Sequence, residues 1–289
     1  MNQKNAPWLL LLASAMWGSS FVASKICLNG GLLQFEAVFF RFALATVLSL
    51  LLFWKDLRRT TKKALRAGVV VGITTVGSYT LEMFGLTLTQ TTKAAFLTTT
   101  NIVMMPFLYL LFCGVRPKLK SLAAAVLAMT GVGFLSLTEG FGTFAVGDAL
   151  LLCEALFYGL NSIAVLKLAG EASRIQSTIY QFLTTAVVMG RLSVAQGFSG
   201  NYTAPVLGAV LYQATIPTVA CFLIKNLAIK YMDPVRCTLI LATESVFCAL
   251  VSRLVFQDVL TLRMWLGVVL IAAGVLVEIL EKKPKTAAA

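Results

Sequence analysis

Glu82, Glu154 and Glu244 each lie inside a long apolar stretch of this 289-residue chain, where a carboxylate is out of place. An ionised carboxyl at the centre of a hydrocarbon layer is unfavourable by several kcal/mol unless it is paired or faces water, so such a group marks a solute path or a proton site. Glu244 is the deepest, about ten residues into its stretch, and Asn101 is equally deep in another, behind Thr98, Thr99 and Thr100. The alternative for that pair is interhelical hydrogen bonding that ties two crossing helices together. Glu154 stands about two turns into GDALLLCEALFYGL, and Glu82 near one end of its stretch. For both, the competing reading is a stem that carries the carboxylate out to water.

A carboxylate walled by apolar side chains holds a proton or a substrate cation but not both, and that competition is the chemistry of antiport. Trp17, Tyr79, Phe157, Tyr158 and Tyr212 offer flat walls that also attract cations, with plain packing as the alternative use. Asn161, Gln181 and Gln213 would add hydrogen bonds to a polar solute. The expected solute-binding set is therefore Glu244, Asn101, Glu154, Tyr158, Trp17, Tyr79, Glu82, Asn161 and Gln213. Lys25, Arg41, Lys93, Lys167, Arg253 and Arg263 lie within a turn or two of the ends of apolar runs, where long stems let the charge reach the interface, so snorkelling is expected of them.

Other chemistries are poorly served. There is no histidine, which removes the usual proton relay, the commonest metal ligand and the Ser–His and Cys–His nucleophile pairs. Six cysteines, Cys27, Cys113, Cys153, Cys221, Cys237 and Cys248, show no paired spacing and read as small apolar residues. No GxxxxGK signature is present to bind a nucleotide. No catalytic residue, metal or cofactor is expected, and energy would come from gradients.

The elements that must hold these side chains follow from composition: 58% of residues are apolar, 12% are charged, and the mean hydropathy is +0.86. Runs of about 20 apolar residues span a bilayer as helices, which satisfy their own backbone polar groups there. Ten such runs are predicted, at 8–28, 36–54, 67–88, 91–113, 121–138, 148–168, 176–194, 204–229, 235–256 and 263–280. The connections are short, so everything functional must sit within the bundle. The first run is too long for a cleaved signal, although Ala13, Ser14 and Ala15 resemble a cleavage site. The sequon at Asn201 sits too close to the membrane for glycosylation to be expected.

The chain also repeats itself. FFRFALATV from Phe39 aligns with IYQFLTTAV from Ile179 at an offset of 140, and YTLEMFGL from Tyr79 with FLIKNLAI from Phe222 at 143. The pairs Trp17/Phe157, Ser14/Glu154, Arg41/Gln181, Glu82/Lys225 and Asn101/Glu244 follow from these offsets. Trp17 and Phe157 should therefore both face inward if either does, and Glu82 and Lys225 make a candidate pair of gates. Five spans per copy is an odd number, so the second copy enters the membrane from the opposite side. The expected fold is all-α and polytopic: ten transmembrane helices as two inverted five-helix repeats, 1–144 and 145–289.

Charge placement agrees. Lys55, Arg58, Arg59, Lys62, Lys63 and Arg66 follow the second run, whereas the equivalent loop of the second copy carries only Arg191. By the positive-inside rule equivalent loops lie on opposite sides. Arg116, Lys118, Lys120, Lys230, Lys282, Lys283 and Lys285 join the first loop, which places both termini in the cytoplasm. The net charge of +12 is then an inside bias that also meets anionic lipid head groups, and gives no reason to expect nucleic acid as a partner. Small residues in the fifth run (Ala124, Ala125, Ala128, Gly131) and tenth run (Gly267, Ala273, Gly274) read as packing faces.

With LLASAMWGSSF from Leu11, FFRFALA from Phe39, FGLTLTQTTKAAFL from Phe84 and WLGVVLIAAGVLV from Trp265, the duplicated chain resembles the drug/metabolite transporter superfamily, in its ten-helix EamA-type branch, over nearly its full length. The family's common helix-4 proline is replaced here by Thr100 and Asn101, and the acidic position that follows is Gly114 and Val115, with Asp258 kept in the second copy. The resemblance implies a secondary transporter with its cavity between spans 1, 3 and 4 and their counterparts 6, 8 and 9, and with spans 5 and 10 outside. Four-helix small multidrug resistance proteins are similar to one copy and carry their proton- and substrate-binding glutamate in the span that corresponds to Glu154.

Alternating access by the two halves is the expected mechanism. The expected activity is export of small organic metabolites, amino acids or amphiphilic and cationic compounds, with protons as the coupling ion, in the inner (plasma) membrane. Uptake of a quaternary amine or nucleobase, a lipid-linked intermediate flippase, and a non-transporting scaffold stay open, as do monomer and homodimer.

Overall fold

Long apolar stretches leave the backbone no hydrogen-bond partners but its own, and the computed structural model, described for residues 1–2, 4–58, 60–136, 145–170, 174–256 and 261–279, is accordingly helical apart from short connections. The helices are α1 Ala6–Asn29, α2 Gln34–Leu52, the single turn α3 Trp54–Leu57, α4 Lys62–Leu88, α5 Thr91–Thr99, α6 Asn101–Cys113, α7 Leu119–Ser136, α8 Val146–Leu168, α9 Arg174–Gln196, α10 Ala204–Gln213, α11 Cys221–Ala228, α12 Pro234–Leu241, α13 Glu244–Phe256 and α14 Leu262–Ile279. A π-helical stretch, Ala214–Ala220, joins α10 to α11. Arg59, Asp258, Lys282, Lys283 and Lys285 lie outside the described residues.

Each predicted run occurs as helix, and seven of them are long and apolar enough to cross a membrane among the described residues. In α7 and α14 the apolar part is shorter, Leu119–Phe134 and Leu262–Val277. In α9 Gln176, Ser177, Thr178, Gln181, Thr185 and Ser193 point inward and are buried, while Leu183, Val187 and Val194 are exposed. This is the reverse of a soluble amphipathic helix.

Two runs expected to be continuous are broken. α5 gives way to α6 at Thr100, and α12 to α13 at Ala242 and Thr243. Threonine hydroxyls compete for the carbonyls of the preceding turn: Thr100 Oγ1 donates to Leu97 O at 2.6 Å, and Thr243 Oγ1 to Ile240 O at 2.8 Å. The amides tighten with them, Thr100 N donating to Leu97 O and Thr243 N to Ile240 O, both at 3.2 Å. The breaks are repeat-equivalent and put Asn101 and Glu244 at the first position of the following segment. The third interruption, in the run after Ala204, centres on Pro217, which has no N–H to give the ladder.

Equivalent helices pack antiparallel. In α7 and α14, Gly131 lies against Gly267 O and Ile271 N, and Gly274 against Ala124 O and Ala128; a Cβ on Gly131 would stand 2.6 Å from Gly267 O. In α2 and α9, Phe39 meets Gly190, and Gln196 Nε2 donates to Gln34 Oε1 at 3.3 Å. At the centre Phe42 and its equivalent Phe182 touch, ring centroids 5.9 Å apart, and both meet Phe222, the equivalent of Tyr79. Such tilted and edge-on pairs add about 0.5–1.5 kcal/mol each beyond burial.

Candidate functional site

Beside that aromatic cluster lies a cavity of about 50 Å³, walled by α1, α2, α4, α5, α6, α8, α12 and α13. On α8, Glu154 is 3% exposed; its Oε1 accepts from Ser78 Oγ at 2.7 Å, and its Oε2 is buried without a partner. One turn on, Tyr158 stands edge-on to Trp17 at 6.2 Å, its hydroxyl also without a partner. Trp17 Nε1 donates to Pro217 O at 2.7 Å, a carbonyl of the π-helical stretch. On α4, Tyr79 and Glu82 share the wall, a turn apart. Asn101 and Glu244 bring the two broken runs to the same space, with Thr98, Thr99 and Thr238 beside them. A link between Thr99 Oγ1 and Ser245 Oγ, 2.9 Å, crosses from one break to the other.

Arg41 supplies the positive charge. It was expected to snorkel, yet it is 2% exposed: Nε donates to Thr218 Oγ1 at 2.7 Å, Nη1 to Gln213 Oε1 at 3.2 Å and Nη2 to Tyr79 Oη at 3.1 Å. Three neutral acceptors around a guanidinium make a stable seat for a charge that would otherwise be costly to bury. Gln181, its repeat partner, donates to Thr75, the repeat partner of Thr218, at 2.8 Å. The only ion pair among the described residues, Lys93 Nζ to Asp148 Oδ2 at 2.8 Å, lies elsewhere; Lys93, too, was expected to snorkel. The cavity thus holds three carboxylates and one guanidinium with no salt bridge between them.

Seven of the nine expected solute-binding residues line this one cavity: Glu244, Asn101, Glu154, Tyr158, Trp17, Tyr79 and Glu82. The other two stand behind its wall. Gln213 supports Arg41, and its Nε2 lies 3.8 Å from Cys27 Sγ. Asn161 Nδ2 donates to Val71 O, Thr74 and Thr75 at 3.0–3.1 Å, and its Oδ1 accepts from Lys225 Nζ at 2.8 Å. Phe157 does not mirror Trp17: its ring packs on Gly77, and Tyr158 takes the place at the wall. Tyr212 hydrogen-bonds with Ser19 away from the cavity. The second span, through Arg41, lines the cavity, whereas the eighth supports it from behind.

Sequence reasoning missed Arg41, Ser78 and Thr238. For Arg41 a signal existed, since its repeat partner Gln181 is also polar within an apolar run. A strap near one end of the bundle was missed as well. Glu36, 0% exposed, accepts from Tyr202 Oη at 2.8 Å, Leu33 N at 3.1 Å and Ser199 N at 3.2 Å, fastening the loop after α9 to the start of α2. The hydrogen bond to Glu36 raises the Tyr202 phenol above its ordinary range.

Comparison with known proteins agrees with this architecture. The EamA-like transporter family matches residues 5–137 and, a second time, residues 145–280. An uncharacterized transporter of Archaeoglobus fulgidus is 27% identical over 270 residues, which covers 93% of this chain and 83% of that protein. One solved crystal structure, 16% identical, superposes with a TM-score of 0.78 over 95% of this chain and 97% of its own, and so shows the same fold.

Proposed function

From the premise that this chain belongs to the EamA-like transporter family and is a multi-pass membrane transporter, we propose that it exports small organic metabolites by alternating access, with protons as the coupling ion. In this reading ten spans form two inverted repeats, 1–144 and 145–289, in the cell's inner (plasma) membrane with both termini cytoplasmic. Support comes from the antiparallel packing of α2 with α9 and α7 with α14, and from the mirrored bonds Arg41–Thr218 and Gln181–Thr75. Two such halves rock about a midplane site.

One observation carries the reading: Glu154 presents a buried, unpartnered Oε2 in a cavity that also holds Glu82, Glu244 and Arg41. An ammonium group or a proton satisfies that oxygen, and the two exclude each other. The Arg41 guanidinium, opposite in sign, favours a solute that also carries an anionic group, so amino acids are the first class to try. A walled chamber with such groups supports transport over a scaffold.

The test is a thermal-shift screen of amino acids, choline and nucleobases, followed by flux of the best compound in proteoliposomes with an imposed pH gradient. Glu154→Gln and Glu244→Gln are expected to lower gradient-driven flux about tenfold or more, the loss of one charge-assisted contact. Normal flux in both variants at every pH would sink the carboxylate mechanism.

A further inference from the structure

Lys225 is 1% exposed, its ammonium nitrogen 2.8 Å from Asn161 Oδ1 and 4.1 Å from the centroid of the Tyr158 ring. No carboxylate pairs with it among the described residues. A neutral amide oxygen and a ring face compensate a buried ammonium only in part. On the same helix Glu154, Tyr158 and Asn161 are spaced four and three residues apart, which sets them along one face of α8. The unpartnered Oε2 of Glu154 and the unpartnered hydroxyl of Tyr158 lie along that face, toward the cavity from Lys225.

We propose that Lys225 is an internal cation that shuttles along this face between Asn161 and Glu154, taking the place of cargo or proton when the site is empty. The Asn161 amide is pinned from behind by Val71, Thr74 and Thr75, so the amide stays and the lysine moves. Asn161 and Glu154 stand seven residues, about 10 Å, apart along the helix, and the Lys225 ammonium already lies over the ring of Tyr158 between them, so the remaining distance is within the swing of a four-carbon stem. One move satisfies both an under-compensated ammonium and an orphaned carboxylate oxygen, each unfavourable as it stands. When a proton or a cationic group occupies Glu154, Lys225 returns to Asn161. The empty carrier then crosses its closed state without a bare carboxylate in the membrane interior.

This inference rests on the transport reading, but its test needs no solute. N,N′-dicyclohexylcarbodiimide modifies protonated carboxyls in apolar surroundings and spares those paired with a cation, and the adduct on Glu154 can be quantified by mass spectrometry of the full chain in proteoliposomes. Lys225→Gln removes the shuttle, and Asn161→Asp holds it away from Glu154; both are expected to raise the Glu154 adduct about threefold or more. Asn161→Ala removes the resting partner and is expected to lower it by a similar factor.

Adducts on Glu82 and Glu244 serve as internal references. Opposite shifts in the two Asn161 variants are a result that general loosening of the bundle does not produce, and that comparison stands even if Lys225→Gln fails to fold. Equal or same-direction shifts in the two variants overturn the proposal. Normal flux in Glu154→Gln and Glu244→Gln would instead count against the carboxylate mechanism of transport alone.

Discussion

Arg41 reaches Thr218, Gln213 and Tyr79 with three separate nitrogens, a geometry that an ammonium cannot copy. Arg41→Lys is therefore expected to destabilise the protein by about 1.5–3 kcal/mol, read as a lower melting temperature in detergent, while Arg41→Gln should also abolish binding of any solute that needs the guanidinium. Gly18 tests a different point: a Cβ there would stand 2.5 Å from Glu244 O and 2.7 Å from Cys248 N. Gly18→Ala should cost about 1–3 kcal/mol through overpacking and displace Glu244 from the wall, so solute affinity falls together with stability.

Residue type and depth alone single out Glu154, Glu244 and Asn101, which the structure brings to one cavity. The repeat offset pairs Trp17 with Phe157 where the wall holds Tyr158, because adjacent positions on a helix differ by about 100° and an offset taken from a weak repeat carries no such precision. Arg41 was misjudged because distance from a helix end says how far a stem can reach, not which way it points.

Helix by helix, the runs of the chain are where hydropathy puts them, and the interruptions are what it missed. Hydropathy averages over a window, whereas the breaks at Thr100 and Thr243 depend on single hydroxyls that bond backward to Leu97 and Ile240. Thr243 Oγ1 also shares a hydrogen bond with Ser14 Oγ on α1. Thr243→Val should lose about 1 kcal/mol of stability and move Glu244 relative to Asn101, which a solute titration of the variant would report as weakened binding.

At the strap, the protonated Tyr202 phenol is the donor to Glu36, and that bond raises its pKa above the ordinary value near 10. Its contribution is full below pH 10 and is lost as pH rises through the raised value. Tyr202→Phe should lower the melting temperature at pH 8 and show no difference from the parent well above that value.

Across the whole molecule, the cavity residues Phe21, Arg41 and Glu82 have their repeat equivalents Asn161, Gln181 and Lys225 in a hydrogen-bonded polar cluster that also includes Asn226. Asn226 Nδ2 donates to Thr178 Oγ1 at 2.9 Å and to Gln181 Oε1 at 3.1 Å, closing that cluster. Lys55→Cys and its repeat equivalent Ala195→Cys, both exposed, should be labelled by a membrane-impermeant thiol reagent from opposite faces of oriented vesicles, on a background with the native cysteines replaced. Labelling of both from one face would contradict the inverted arrangement.

The glycine seam between α7 and α14 bears on how the protein is made. α7 belongs to the first copy and α14 to the second, so Gly131 and Ala128 stay without their mate until α14 has been made. Until then a strip of small residues faces lipid, a state that membrane insertases must shield and proteases can recognise. Chains that stop before Leu262 would expose that strip permanently and be cleared by quality control, even with every cavity residue in place.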